Sequence, residues 1–218
     1  MPTTTLLFDL DDTLYLPTSG IWEAIGKRME QYMIEKLSIP VDFAADERER
    51  LFHQHGTTMR GLVAEYQVDE VDFLDYVHDI PIEEYLSENQ ALRQTLVQYP
   101  QRKLIFTNAN MGHAQRVLSA LCIEDLFEKV IDIQSIKPWC KPQPEAFMLA
   151  FKLAGITDPL NCVMIDDAYR NLVTAHSLGM TTIQISTSLL QDPVDACIPC
   201  LENLPDVLPI TTCEVDHV

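Results

Sequence analysis

Three aspartates fall within four positions at the end of an apolar run, in Leu6-Leu7-Phe8-Asp9-Leu10-Asp11-Asp12-Thr13. Packing does not account for them: clustered carboxylates repel, and each is costly to desolvate unless it is paired or binds a cation. Polar groups stand at comparable places further on. Thr107-Asn108 follows Lys103-Leu104-Ile105-Phe106, Lys141 opens Lys141-Pro142-Gln143-Pro144, and Asp166-Asp167 follows Cys162-Val163-Met164-Ile165. Carboxylates joined by a backbone carbonyl make a hard, oxygen-rich site suited to Mg²⁺. With that cation, Lys141 and the backbone N–H groups after Thr107, a centre that would repel anions becomes one that holds a phosphoryl group. An aspartate is a covalent nucleophile for phosphoryl transfer. Two acids two residues apart can divide the work, one attacking phosphorus and the other protonating the leaving alkoxide.

The elements that must position these groups are legible as alternating periods. Short apolar runs at 6–8, 103–106, 130–133, 162–165 and 182–185 predict five buried strands, and helical patterns separate the later ones. Such alternation means βαβ crossovers and a parallel sheet. In an open parallel sheet, ligands bind beyond the carboxyl ends of the strands, which is where the polar groups stand. Ser87 with Gln90 reads as a capping box, Asn110 as an N-cap, Pro142 or Pro144 as a first-turn proline, and Gly155 as the end of a helix.

Between the first strand and the second lies a stretch with no convincing strand. Ile21, Trp22, Ile25, Met29, Tyr32, Met33 and Leu37 recur at helical spacing, and Pro40 ends that helix. A second helix runs from about Phe43 towards Gln54, with Glu47, Arg48, Glu49 and Arg50 on its wet side. Gly56-Thr57-Thr58-Met59-Arg60-Gly61-Leu62 interrupts it. A third runs through Val71, Phe73, Leu74, Val77 and Ile80. The tail from Ser186 carries four prolines; a short helix near Leu201 and Leu204 and a frayed end are expected there.

Composition narrows the functional classes. The 218 residues allow one large domain or a domain with an insertion, and 47% hydrophobic residues suffice for a core. A net charge of −18 repels nucleic acid and anionic membranes. No apolar run approaches a membrane span, and the start has no basic n-region, so a cytoplasmic protein without a signal peptide is expected. The six cysteines are expected to be reduced thiols; Cys197-Ile198-Pro199-Cys200 lacks the second pair of a zinc site.

These motifs, in this order, resemble those of the haloacid dehalogenase superfamily: Asp9-Leu10-Asp11-Asp12-Thr13 the first, Thr107 the second, Lys141 the third and Asp166-Asp167 the fourth. The resemblance implies an α/β fold with a Rossmann-like, five-stranded parallel core made of residues 1–14 and 87–218. Residues 15–86 would form an inserted helical cap of type I. It implies that Asp9 is the nucleophile and forms an aspartyl phosphate, and that Asp11 is general acid and then base. Mg²⁺ would be held by the Asp9 side chain, the Asp11 carbonyl and Asp167, with Asp166 a direct or outer ligand and Asn171 in support. Thr107, the Asn108 amide and Lys141 would hold phosphoryl oxygens, while Asp12 and Thr13 shape the turn. Lys137-Pro138 is a second Lys-Pro, but Pro-Gln-Pro-Glu-Ala-Phe behind Lys141 matches the family's helix entry.

Ile105-Phe106-Thr107-Asn108-Ala109 with His113 and Arg116, and Gly56 to Leu62 with Phe73 and Val77-His78-Asp79, resemble the pyrimidine 5′-nucleotidase branch. That implies a small phosphorylated metabolite as substrate, UMP or CMP above all, bound by a monomer or homodimer. Thr57, Thr58 or Arg60 would then contact sugar or base. His53, His55 and His113 are candidates to assist; Trp22 and Phe52 are candidates to stack on a base, but they sit on helical faces expected to pack in the core. Sugar-phosphate or phosphoglycolate hydrolysis and phosphoglucomutase-like transfer share the core motifs. A dehalogenase would not need Asp11 or the Asp166-Asp167 pair, and a non-catalytic scaffold would not need Asp9, Asp11 and Lys141 together.

Overall fold

The computed structural model describes residues 3–210. The last residues, with Cys213 and the fraying expected of them, lie outside that range. Strands β1 (Thr5–Phe8), β2 (Arg102–Phe106), β3 (Lys129–Ile131), β4 (Cys162–Asp166), β5 (Thr181–Ile185) and β6 (Ala196–Ile198) form one sheet in the order β3-β2-β1-β4-β5-β6. All neighbouring pairs are parallel. The sheet therefore has six strands rather than five. The sixth has only three residues in a proline-rich tail, too short to show a period, and it forms through its pairing with β5.

Alternation along the strands divides the apolar core between the two faces of the sheet. Leu6, Phe8, Ile105, Val163 and Ile165 point to one face. There they meet α5 (Gln90–Val97) and α6 (Met111–Ala120) through Leu92, Leu96, Val117 and Leu118. Leu7, Leu104, Phe106 and Met164 point to the other, against α7 (Pro144–Ala154) and α8 (Tyr169–Ser177) through Phe147, Ala150 and Leu172. Sequence order reverses on the two sides of β1, so the end of β1 beside β4 is the switch point of the sheet.

Four helices leave β1 and return before α5: α1 (Ile21–Leu37), α2 (Val41–His55), α3 (Thr58–Tyr66) and α4 (Glu70–Val77). They share an apolar cluster of their own, built on Tyr32, Met33, Leu51, Leu62, Phe73 and Val77, which reaches Ile133 and Cys140 of the sheet-bearing part. The interruption expected over 56–62 is in fact a break followed by a helix start. Gly56 takes a φ of 85°, and Thr57 caps α3 by accepting the N–H of Arg60 at 3.1 Å. Asn89, rather than Ser87, caps α5, its side chain accepting the N–H of Leu92. Asn110 caps α6, Pro144 opens α7, and Gly155 ends α7 at a φ of 66°.

Candidate active site

The loop after β1 places Asp9 and Asp11 at the switch point. Asp9 N–H continues the sheet pattern by donating to Ile165 O at 2.9 Å. Asp12 then turns the chain in the left-handed region, φ 58°, a conformation aspartate tolerates better than most residues. The tight turn brings Thr13 back over β4: Asp167 N–H donates to Thr13 Oγ1 at 3.0 Å. Asp12 and Thr13 thus shape the turn.

Lys141 completes the floor. Its ammonium is 1% exposed and donates to Asp9 Oδ1 and Asp166 Oδ2, each at 2.7 Å. Asn108 holds it there from both sides, donating to Lys141 O at 3.0 Å and accepting Lys141 N–H at 2.9 Å. Burial alone would lower the Lys141 pKa, but Asp166 and Asp9 outweigh it and raise it. Asn171 donates to both oxygens of Asp166 at 3.0 Å, and Ala168 N–H adds a third bond. Asp166 is thus fully bonded and ties Lys141 to the start of α8. Lys137, the competing lysine, lies on the surface and pairs with Glu70 at 3.3 Å.

Asp9, Asp166 and Asp167 each offer an oxygen within 4.8 Å of the others. Burial, helped by the neighbouring carboxylates, pushes Asp9 well above its ordinary pKa and raises Asp167 to about 7. A cluster of hard oxygen donors with this strain fits a divalent cation, which would relieve the repulsion.

Asp11 has a separate environment. It accepts from the Tyr15 hydroxyl at 2.5 Å and bonds His113 Nε2 at 2.7 Å. Burial works to raise its pKa, but His113 and then Tyr15 outweigh that and hold it below its ordinary value. The two acids of the first loop are thus held apart chemically, one on a lysine and one on a histidine.

Above them opens a cavity of about 450 Å³ between the sheet edge and the four helices. Asp9, Asp11, Thr107, Asn108, Lys141 and Asp167 form its floor. Thr57 and Thr58 line its wall. Arg60 does not: its guanidinium turns to Glu70 at 3.2 Å and to the carbonyls of Trp139 and Ile133, as a strut between α3, α4 and the loop before Lys141. Helix phase decides this, since Arg60 is two residues, about 200°, round α3 from Thr58. Trp22 and Phe52 line the cavity instead of packing in the core, Trp22 being 44% exposed. Arg48 also lines it and pairs with Glu30 at 3.0 Å, so it is not on the wet side of α2 with Arg50. Among the histidines, His53 reaches the cavity, His55 pairs with Glu65, and His113 is buried against Asp11.

Sequence reasoning missed Arg170 and Tyr15 and gave His78 only as part of a matching stretch. Arg170 lies 4.1 Å over the Phe52 ring and donates to Gly56 O, tying α8 to the break before α3. His78 stacks on His113, with ring centroids 4.4 Å apart. The one usable signal was position: Tyr15 is four residues after Asp11, and Arg170 is next to Asn171. Cys197 and Cys200 are free thiols, the first donating from β6 to Ser186 O and the second to Asn203 Oδ1.

A parallel sheet with order 3-2-1-4-5-6, carrying aspartates and a buried lysine at its switch point, defines an α/β protein of Rossmann-like build with a carboxylate centre. The chain belongs to the haloacid dehalogenase-like hydrolase family, whose sequence profile matches residues 3–179. It is 30% identical to "Phosphate metabolism protein 8" of Saccharomyces cerevisiae over 191 residues, 79% of this chain and 58% of that protein. The chain thus spans less than two thirds of that relative. Among solved structures, it resembles a HAD phosphatase of Thermococcus onnurineus with a TM-score of 0.65 at 20% identity, over 95% of this chain and 98% of that one. It also resembles a HAD hydrolase of Bacillus subtilis bound to magnesium, with a TM-score of 0.61 at 18% identity, over 96% and 100%. At these identities, the two structures establish the fold. Among the described residues, no helix is long and apolar enough to cross a membrane.

Proposed function

We propose that this hydrolase is a Mg²⁺-dependent phosphomonoesterase that works through an aspartyl phosphate and takes pyrimidine nucleoside 5′-monophosphates. The observation that supports the chemistry is the division between Asp9, bonded to Lys141, and Asp11, bonded to His113 and Tyr15, on one cavity floor. Asp9 attacks phosphorus and the ester P–O bond breaks as Asp11 gives its proton to the leaving oxygen. Water then attacks the phosphoryl group, Asp11 takes back a proton, the bond to Asp9 breaks and phosphate departs. Lys141, Thr107 and the Asn108 amide hold the phosphoryl oxygens. The Asp9 and Asp167 side chains and the Asp11 carbonyl would hold Mg²⁺, with Asp166 behind them. When bound, the ion supplies charge neutralisation for the incoming phosphate.

Residues 15–86 act as a cap in this reading. The cavity volume falls within the ~300–1,000 Å³ usual for small-molecule sites. Trp22 and Phe52 offer aromatic faces to a base, and Thr57 and Thr58 offer hydroxyls to a sugar. The resemblance of the 105–116 and 56–79 segments to pyrimidine 5′-nucleotidases supports the same choice.

The test is phosphate release with Mg²⁺ across UMP, CMP, AMP, GMP, sugar phosphates and phosphoglycolate. Preference for UMP and CMP is expected, with no turnover in Asp9→Asn and a loss of ~10²–10⁴ in Asp11→Asn. Preference for sugar phosphates would discard the nucleotide reading and keep the mechanism. Full activity in Asp9→Asn would overturn the nucleophile.

A further inference from the structure

We propose that His113 and Tyr15 are positioning residues that aim the Asp11 carboxyl at the leaving group, with His78 stacked behind His113 to hold it; this rests on the phosphatase reading above. Both donors converge on one atom, Asp11 Oδ1, the hydroxyl at 2.5 Å and Nε2 at 2.7 Å. Asp11 Oδ2 takes no hydrogen bond among the described residues, and Asp11 lies on the cavity floor. A carboxyl pinned at one oxygen from two directions cannot turn about its own bond, so it presents the other oxygen in one orientation. Oδ1 accepts both bonds whether or not Oδ2 carries the proton, so Nε2 is the protonated nitrogen of His113.

The support behind His113 is built from three contacts. Its N–H donates to Asn110 Oδ1 at 3.0 Å, which places it in the first turn of α6. Its ring lies 4.4 Å from that of His78, at 19° to it. Arg116, one turn along α6, donates to the carbonyls of His78 and Ile80 and so holds the segment that carries the second ring. His113 is 1% exposed, and its Nδ1 is buried with no partner among the described residues. An orphaned buried nitrogen is a penalty that an apolar side chain would avoid, so simple packing does not explain this histidine. Among the described residues, the one hydrogen bond of its ring is to Asp11.

A leaving group that needs no proton separates aiming from mere structure. Up to departure of the leaving oxygen, which is what kcat/KM reports, the nucleoside alkoxide of UMP requires the Asp11 proton and p-nitrophenolate does not. Tyr15→Phe and His113→Ala are assayed on UMP and on p-nitrophenyl phosphate with Mg²⁺. The expected result is a fall in kcat/KM that is at least ~10-fold larger for UMP than for the aryl ester, a fraction of the cost of losing the acid outright. Equal losses on both substrates, with an active wild type, would overturn the positioning role and leave the phosphatase reading intact. A wild type that releases phosphate from neither would overturn both. Tyr15→Phe removes one hydroxyl from an intact ring, so the comparison survives even if His113→Ala fails to fold.

Discussion

Asp9 and Lys141 stand 132 positions apart in the chain and 2.7 Å apart in space, both almost closed to solvent. The pair joins the end of β1 to the loop before α7, and Asp166 closes it from β4 through the same ammonium. A lysine this deeply buried is stable only because two carboxylates share it.

Removing that ammonium should therefore do more than remove the phosphate contact proposed for it. Lys141→Ala is expected to lower turnover by ~10²-fold or more, the scale of losing a preorganised charge in a closed site. Lys137→Ala, on a surface pair with Glu70, should leave turnover within a few-fold and stability within ~0.5 kcal/mol. Steady-state rates of the two variants decide it, and the reverse order would move the phosphate-binding lysine to position 137.

Mg²⁺ should raise the melting temperature of the protein, because the acid cluster proposed to hold it is assembled only by folding. At 100-fold excess over its dissociation constant the gain is ~2.7 kcal/mol. Asp167 is raised to about 7, so below that pH a proton competes for the same oxygen. The thermal shift should be larger at pH 8 than at pH 6 and should shrink in Asp167→Asn. A pH-independent shift that survives the substitution would place the ion elsewhere.

Gly61 lies in α3 where it crosses α2. A Cβ there would sit 2.7 Å from Leu51 Cβ, which no rotamer change moves, and 2.8 Å from Leu51 Cδ2. Gly61→Ala should destabilise by ~1–3 kcal/mol, as overpacking does. Gly112→Ala, in α6 with nothing within 4 Å, should instead gain up to ~1 kcal/mol from helix propensity. Urea midpoints of the two variants give the comparison.

His78 makes folding sensitive to acid. Burial first, then the facing His113, push its pKa down to about 3, against ~6.5 in an unfolded chain. Below pH ~6.5 the unfolded state takes a proton that the folded state refuses, so stability is full above that pH and is lost as pH falls. The slope is at most ~1.4 kcal/mol per pH unit. Melting curves from pH 7 to pH 5 should show a steeper decline for the wild type than for His78→Gln, and parallel declines would mean that His78 is not the group responsible.

Much of the fold was legible because its elements follow local rules. The apolar strands, the Asn110 cap and Gly155 each depend on residues within a turn or two. The failures share a cause. β6 exists only through β5, α3 begins within a glycine-flanked stretch that reads as a break, and Asn89 prevailed over Ser87 as a cap although both residue types suit the role. In the site, Trp22, Phe52 and Arg48 looked like core or wet-surface positions, because helical periodicity does not reveal that a cavity lies between two packed parts of the chain.

By itself, the sequence determined the chemistry available at β1. Asp9 and Asp11 are separated by one residue, so a strand end followed by a tight turn must present both on the same rim. It likewise determined that Thr107 and Asp166 fall at the ends of later apolar runs and that Lys141 stands before the helix after another. Only the tertiary structure decided which lysine reaches the carboxylates, that Arg60 turns away from the cavity, and that His113 meets Asp11. Those outcomes depend on the order of strands in the sheet and the phase of helices packed above it. Both are set by long-range burial and pairing, which no local window of residues contains.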